Sequence, residues 1–152
     1  MTYVPIVGAE NVEAGSLFSV GEVSDKSGFK FPEGEEEKIV LTEAMTGALK
    51  KALEAKGAQG EGQWLINVDI TEYAPGNAFA RWLMPGAGAT VLGVVAHIVN
   101  QEGVAAARIP IRRSIGFGGG YTIGAWEYVF DEVAEAIVET LINPEKRTPS
   151  KN

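Results

Sequence analysis

His97 is the residue in this sequence best suited to chemistry, because it is the only histidine of the chain. The strand register predicted below places it near Asp69 and opposite Arg108, with Arg112 farther along the same strand. A histidine flanked by charged groups can titrate near neutral pH, and it can then bind a ligand or transfer a proton. A solvated sheet face with opposite charges paired across strands would explain the same residues without a site.

Other groups that could support catalysis or bind metal are scarce. The chain has no cysteine, which excludes disulfides, thiolate metal sites and thiol nucleophiles. A lone histidine gives no metal-ligand spacing, and Ser16, Thr42 and Ser114 lack a local nucleophile signature. We therefore predict that the protein is not an enzyme and that it uses no cofactor and no metal.

The glycine-rich run from Gly116 to Tyr121 precedes a predicted helix, as phosphate-binding loops do. No Lys-Ser or Lys-Thr follows it, and its spacing does not match GxGxxG. We expect no nucleotide site there, and the glycines instead favour positive φ angles or a mobile loop.

Length and charge limit the class of protein. A chain of 152 residues is sufficient for one ordinary domain. Its net charge of -7 disfavours binding to nucleic acid and to anionic membranes. No apolar run reaches the roughly 18–20 residues that span a bilayer, and residues 1–5 lack the features of a signal peptide. We expect either a cytoplasmic protein or one whose targeting segment is missing from this sequence.

Hydrophobic periodicity predicts the elements that must position these residues. We predict an extended lead-in over residues 1–16, a single α+β domain over residues 17–142 and a flexible tail over residues 143–152. The predicted order is strand-helix-strand-strand-strand-helix, which indicates a mainly antiparallel sheet with two helices packed on one face. The elements are a strand over 17–23, a helix over 35–56, strands over 63–73, 90–101 and 104–114, and a helix over 125–142.

Both predicted helices carry an apolar stripe. The acidic run over residues 35–37 suits the positive N-terminus of the first helix, and Lys56-Gly57 signals its end. The stripes consist of Leu41, Met45, Ala48, Ala52 and Leu53 in the first helix, and of Trp126, Phe130, Val133, Ile137 and Leu141 in the second.

Glu102-Gly103 predicts a two-residue hairpin turn between the third and fourth strands. This turn fixes the register: Val99 faces Ala106, His97 faces Arg108, and Gly93 faces Arg112, all on the face without helices. In the strand over 63–73, Trp64, Ile66, Val68 and Ile70 form one face, and Asn67, Asp69, Thr71 and Tyr73 belong to the other.

Pro110 has no backbone N–H to donate, which predicts that the fourth strand is an edge strand. Such an edge could be extended by a strand of a partner.

Two further segments are candidate partner-binding surfaces. Glu127, Asp131, Glu135 and Glu139 recur every four residues on the last helix, where like charges repel each other. They form either a solvated face or a surface that meets a cation or basic residues, such as those of another subunit. The segment from Ala74 to Ala89 is long for a meander connection, and it serves either as a lid on the core or as an anchor for a partner or membrane surface. Its large side chains are Phe79, Arg81, Trp82, Leu83 and Met84.

The run from Gly76 to Gly88 resembles the signature of domain of unknown function family 4410, with its Arg-Trp-Leu stretch at residues 81–83 and its Gly-x-Gly. The resemblance extends from the first strand to the last helix. It implies a bacterial envelope protein, because many members are predicted lipoproteins with a signal peptide and a lipidated cysteine. This chain shows neither feature, so any membrane proximity would depend on an N-terminal lipid anchor absent from this sequence. The resemblance implies no activity.

These features favour a non-enzymatic module of the cell envelope that acts through protein contacts and self-associates. The alternative is a small-ligand binding or catalytic domain that uses His97, Asp69 and Arg108 near the glycine-rich loop.

Overall fold

The computed structural model describes residues 3–30, 39–74, 90–115 and 125–147, with side chains from residue 128 onward in the last range. The described elements form a five-stranded sheet of order β1-β5-β4-β3-β2 with two α-helices. Strand β2 runs parallel to β3, and the other neighbours are antiparallel. This confirms the predicted α+β fold. The elements are β1 (Val4–Pro5), β2 (Phe18–Asp25), α1 (Leu41–Ala55), β3 (Trp64–Ala74), β4 (Thr90–Val99), β5 (Ala105–Ile115) and α2 (Ala125–Ile142).

A single hydrophobic core joins the two helices to one face of the sheet. The five residues of the predicted α1 stripe are all buried, as are Trp64, Ile66, Val68 and Ile70 of β3. The stripe of α2 is confirmed from Phe130 to Leu141, whereas the side chain of Trp126 lies outside the described residues. No helix in the described ranges is long and apolar enough to cross a bilayer.

Helix α1 begins at Leu41, later than predicted. Val40 is extended, with φ -101° and ψ 114°, and Ile39 packs against the core. Both residues are β-branched, and this type of side chain favours extended backbone. The described part of α1 therefore begins after the acidic run over 35–37, and the structure of that run lies outside the described residues.

The predicted end of α1 is confirmed at Lys56-Gly57. Gly57 has φ +69°, its N–H donates to the carbonyl of Glu54, and the N–H of Ala58 donates to the carbonyl of Leu53. These two bonds form a Schellman motif, which satisfies carbonyls that the end of a helix would leave unpaired.

The β4–β5 hairpin has a three-residue loop, so the predicted two-residue turn is wrong. The N–H of Asn100 donates to Val104, that of Gly103 donates to Asn100, and Gly103 has φ +83°. A glycine in this conformation is typical of three-residue hairpins with a bulge. The bulge places Val99 opposite Ala105 rather than Ala106, whereas the predicted register holds from Ile98 onward.

A second irregularity, in β3, moves Tyr73 to the core face. The register between β3 and β4 shifts between Ile70 and Glu72. Tyr73, predicted on the opposite face, is therefore buried, with its ring 5.0 Å from Phe29 and 5.6 Å from Phe130.

Strand β1 lies outside β5, so the prediction that the fourth strand is the sheet edge is wrong where the two pair. Val4 is opposite Arg108, and the N–H of Ile6 donates to the carbonyl of Ala106. By strand alternation, the nitrogen of Pro110 also points to the β1 side. The β4–β5 ladder therefore loses no hydrogen bond at Pro110.

The polar tail is structured at its start. Pro144–Arg147 form a 3-10 turn, and the Arg147 guanidinium donates to the carbonyls of Thr140, Leu141 and Val12 at 3.0, 2.6 and 2.6 Å. It also lies 4.7 Å from the ring centre of Tyr3. The turn thus joins the end of α2 to the segment before β2. Residues 148–152 lie outside the described part of the chain.

Candidate functional site

The open face is the side of the sheet that faces away from α1 and α2. Its residues form rows across the strands, because directly paired residues point to the same side. The first row is Val4, Arg108, His97 and Asn67; the second is Pro110, Val95, Asp69 and Ser24; the third is Arg112, Gly93 and Glu72.

Asp69 and His97 meet at the centre of the open face, as predicted. His97 Nε2 lies 3.3 Å from Asp69 Oδ2, and their side chains are 34% and 27% exposed. Lys26 Nζ lies 3.4 Å from the other carboxylate oxygen of Asp69. One carboxylate therefore has two possible cationic partners.

Lys26 is the member of this cluster that sequence reasoning missed. Its N–H donates to the carbonyl of Ile70, which continues the parallel pairing of β2 with β3 just beyond Asp25. This neighbourhood follows from the register between two strands joined through α1, and no short-range pattern in the sequence specifies that register. The contact of Lys26 with Asp69 could have been predicted only by first predicting that β2 and β3 pair in parallel.

Arg112 lies apart from the histidine and pairs with Glu72. Its Nε and Nη2 donate to the two carboxylate oxygens at 2.9 and 3.3 Å. This hydrogen bonding lowers the pKa of Glu72 and raises the pKa of Arg112. Arg108 is exposed and has no ion-pair partner in the described ranges, although it is opposite His97. The four predicted ligand-binding residues thus lie on one face without forming a single cluster. Asp69 contacts His97, whereas neither Arg112 nor Arg108 forms an ion pair with them within the described residues.

The geometry of the Lys26–Asp69–His97 cluster is that of ion pairs on a partly exposed sheet face. No three His, Asp or Glu side chains within the described residues converge as metal ligands would. The open face is thus a polar surface with half-buried apolar residues, Leu65, Val95 and Pro110, among its charges.

Lysines of the same chain meet the acidic stripe of α2. Lys51 Nζ lies 3.2 Å from Asp131 Oδ1, and Lys56 Nζ lies 3.2 Å from Glu139 Oε2. Lys146 approaches Glu139 at 3.7 Å. The hydrogen bond from Lys56, with smaller contributions from Lys146, lowers the pKa of Glu139. Two of the four predicted stripe residues, Asp131 and Glu139, thus contact lysines of the same chain.

Two predicted members of the stripe remain outside these pairs. Glu135 is exposed and makes no ion pair among the described residues, and the Glu127 side chain lies beyond them. Glu135 lines a groove of about 510 Å³ between α1 and α2, whose apolar residues include Ala48, Ala52 and Val138.

The predicted partner-binding loop lies outside the described residues, as does the glycine-rich run from 116 to 121. The assignments of Phe79, Arg81, Trp82, Leu83 and Met84 therefore stay predictions.

Solved structures share this fold at low sequence identity. The PelC dodecamer from Paraburkholderia phytofirmans matches with a TM-score of 0.61 and 12% identity, over 92% of this chain and 96% of that chain. A point variant of the same PelC matches with a TM-score of 0.60 and 13% identity, over 92% and 95%. A crystal structure titled only as an uncharacterized protein matches with a TM-score of 0.59 and 12% identity, over 86% and 94%. No curated protein sequence matches the chain significantly.

The family is identified by sequence. The family described as Domain of unknown function (DUF4410) matches residues 22–119, from within β2 past the end of β5. This range is more than half of the chain and includes α1, β3, β4 and β5. The chain therefore belongs to the family Domain of unknown function (DUF4410).

Proposed function

We propose that this protein is a non-enzymatic module of the bacterial cell envelope that self-associates and acts through protein contacts. The observation that carries the proposal is the likeness of fold, over 92% of this chain, to a protein solved as a dodecamer. The envelope location rests on family membership, because many members are predicted envelope lipoproteins.

The polar groups of the described residues support a binding role over a catalytic one. The single histidine is paired with Asp69, and within the described ranges it makes no hydrogen bond with a serine, threonine or lysine. A general base needs a nucleophile or substrate proton within hydrogen-bond reach. Exposed Arg108 and Glu135 instead offer charge to a partner surface.

Sedimentation velocity over a wide protein concentration range tests self-association. A chain of 16.1 kDa should sediment as a monomer only when dilute, with larger species of discrete size at higher concentration. A protein that stays monomeric throughout would contradict the proposal. Cell fractionation after expression of the complete gene tests the envelope location, and recovery in the cytosolic fraction alone would overturn that part.

A ligand site at the Lys26–Asp69–His97 cluster is the second candidate. It is favoured by the 3.3 Å contact between His97 and Asp69, because a paired histidine and carboxylate can exchange a proton with a bound molecule. Screening small metabolites by thermal shift should then find a compound whose effect is lost in His97→Ala and kept in Arg112→Ala. A screen without any shift, or a shift that persists in His97→Ala, would exclude the site.

A further inference from the structure

Strand β5 and helix α2 each carry charges of one sign only. Strand β5 carries Arg108, Arg112 and Arg113 and no acidic residue. Helix α2 carries acidic residues only: Glu127, Asp131, Glu132, Glu135 and Glu139.

Two of the three arginines of β5 lie on the side of the sheet opposite to α2, and the third, Arg113, lies on the helix side in a groove that Glu135 also lines. Arg108 lies on the open face, whereas α2 covers the other face through buried residues such as Val133 and Ile137. Glu135 is exposed on the side of α2 that faces away from the sheet. Arg108 and Glu135 are therefore separated by the thickness of the sheet and helix layers.

Ion pairs within the chain neutralise only part of the charge on these two elements. Glu72 pairs with Arg112, and lysines pair with Asp131 and Glu139. Glu132 accepts a hydrogen bond from Tyr128. Arg108 and Glu135 are both exposed, and neither makes an ion pair in the described ranges.

Apolar surface accompanies both residues. Arg108 is flanked on the open face by half-buried Val4, its partner on β1, and by half-buried Pro110 in the next row of the same strand. Glu135 borders the groove between α1 and α2, to which Ala55 and Val138 contribute. An arginine surrounded by apolar residues is typical of the energetically important centre of an interface.

We propose that the open face around Arg108 of one copy docks on the outer side of α2 around Glu135 of a second copy. The inference rests on the proposed self-association and names its surfaces. The two surfaces differ and lie on opposite sides of the molecule, so the contact is head to tail. Repeated head-to-tail contacts build a closed ring when the rotation between copies closes, and a filament when it does not.

Charge reversal at each surface is the experiment that tests the contact. In Arg108→Glu, a glutamate would face Glu135 of the next copy; in Glu135→Arg, two arginines would face each other. Each variant alone should raise the dissociation constant measured by sedimentation by about tenfold or more, because like charges at an interface are strongly unfavourable. Glu102→Arg is the matched control: it makes the same charge change as Glu135→Arg, but on the hairpin loop, away from both docking surfaces. This variant should associate like the wild type.

Mixing the two variants gives the decisive result. Every contact between an Arg108→Glu copy and a Glu135→Arg copy joins one arginine to one glutamate, so an equimolar mixture should regain association. The double variant should regain it by itself. This rescue also shows that the single variants fold.

The possible outcomes distinguish a failure of self-association from a failure of the two docking surfaces. If the wild type is monomeric at all concentrations, the proposed self-association fails. If the wild type associates but the single variants match it, or if neither the mixture nor the double variant recovers, the docking surfaces are wrong while self-association stands.

Discussion

Arg112 and Glu72 form an ion pair with two hydrogen bonds on the open face. Arg112 reaches both carboxylate oxygens of Glu72, in the side-by-side arrangement that an arginine fork allows. The two side chains are 59% and 47% exposed, so solvent screens their attraction and the pair contributes little to the free energy of unfolding. Its effect is expected mainly on protonation.

The protonation of Glu72 should respond to Arg112. Its pKa is lowered chiefly by the hydrogen bond from Arg112, so Arg112→Ala should raise this pKa towards the ordinary glutamate value. The pKa of the folded state is the depressed one. The pair therefore stabilises the fold above the pKa of the unfolded state, and this contribution is lost as pH falls through the folded pKa. Carboxyl ¹³C shifts recorded against pH measure the change, and identical titration curves in the two proteins would contradict it.

Contacts between residues could be predicted only in stretches of strand where side chains alternate regularly between the two faces of the sheet. The predicted placement of His97 opposite Arg108 is correct, because the bulge beside Val99 compensates for the additional residue of the hairpin loop. The contact of Lys26 with Asp69 depends on a parallel register set across α1, and that of Arg112 with Glu72 depends on a bulge in β3. Neither is encoded in a local pattern of apolar and polar residues.

Within elements, two glycines of the same region have opposite conformational roles. Gly47 lies within α1, and an added Cβ there would meet nothing within 4 Å. Gly57 has φ +69° in the Schellman motif that ends the helix. The first position adopts helical backbone that any residue can adopt, whereas the second adopts a conformation that side chains disfavour.

Alanine substitution should therefore change stability in opposite directions at these two glycines. Gly47→Ala should raise the free energy of unfolding by about 0.5–1 kcal/mol, because alanine has less backbone freedom to lose. Gly57→Ala should lower it by about 1 kcal/mol, because the φ angle is positive. Urea denaturation of both variants measures the difference, and equal signs would show that the helix ends differently in solution.

The elements themselves were easier to predict than their boundaries. Both helices and the three long antiparallel strands follow from periodicity, and the end of α1 follows from Lys56-Gly57. The start of α1 was placed too early because glutamates suit both a helix and a loop. Strand β1 was missed because two residues, Val4 and Pro5, show no alternation.

Across the whole molecule, Arg147 connects parts of the chain that are distant in sequence. Its guanidinium contacts α2 through Thr140 and Leu141, and it reaches Val12 and Tyr3 near the other end. Val12, Leu141 and Thr140 are buried, so their carbonyls would be left without this donor if the side chain were removed. One side chain thereby connects the C-terminal turn, a helix end and the N-terminal segment.

Arg147→Ala should destabilise the protein by about 2–4 kcal/mol, because it removes several hydrogen bonds from a charged donor to buried acceptors. Lys146→Ala is the matched control. It removes only a surface ion pair with Glu139, so its effect should be less than about 1 kcal/mol. Unfolding in urea measures both variants. Similar losses in the two would show that the contacts of Arg147 contribute no more than a surface charge.

The pairing of β1 with β5 has a consequence for the order of folding. Strands β3, β4 and β5 follow one another along the chain, whereas Val4 must pair with Arg108 across about two thirds of the sequence. Contacts close in sequence cost less chain entropy to form than distant ones, so the meander is expected to assemble before β1 is added. Amide hydrogen exchange should accordingly be faster at Ile6, which donates to Ala106, than at Ile98 in the central strand. The last strand to join the sheet would then be the first strand of the chain.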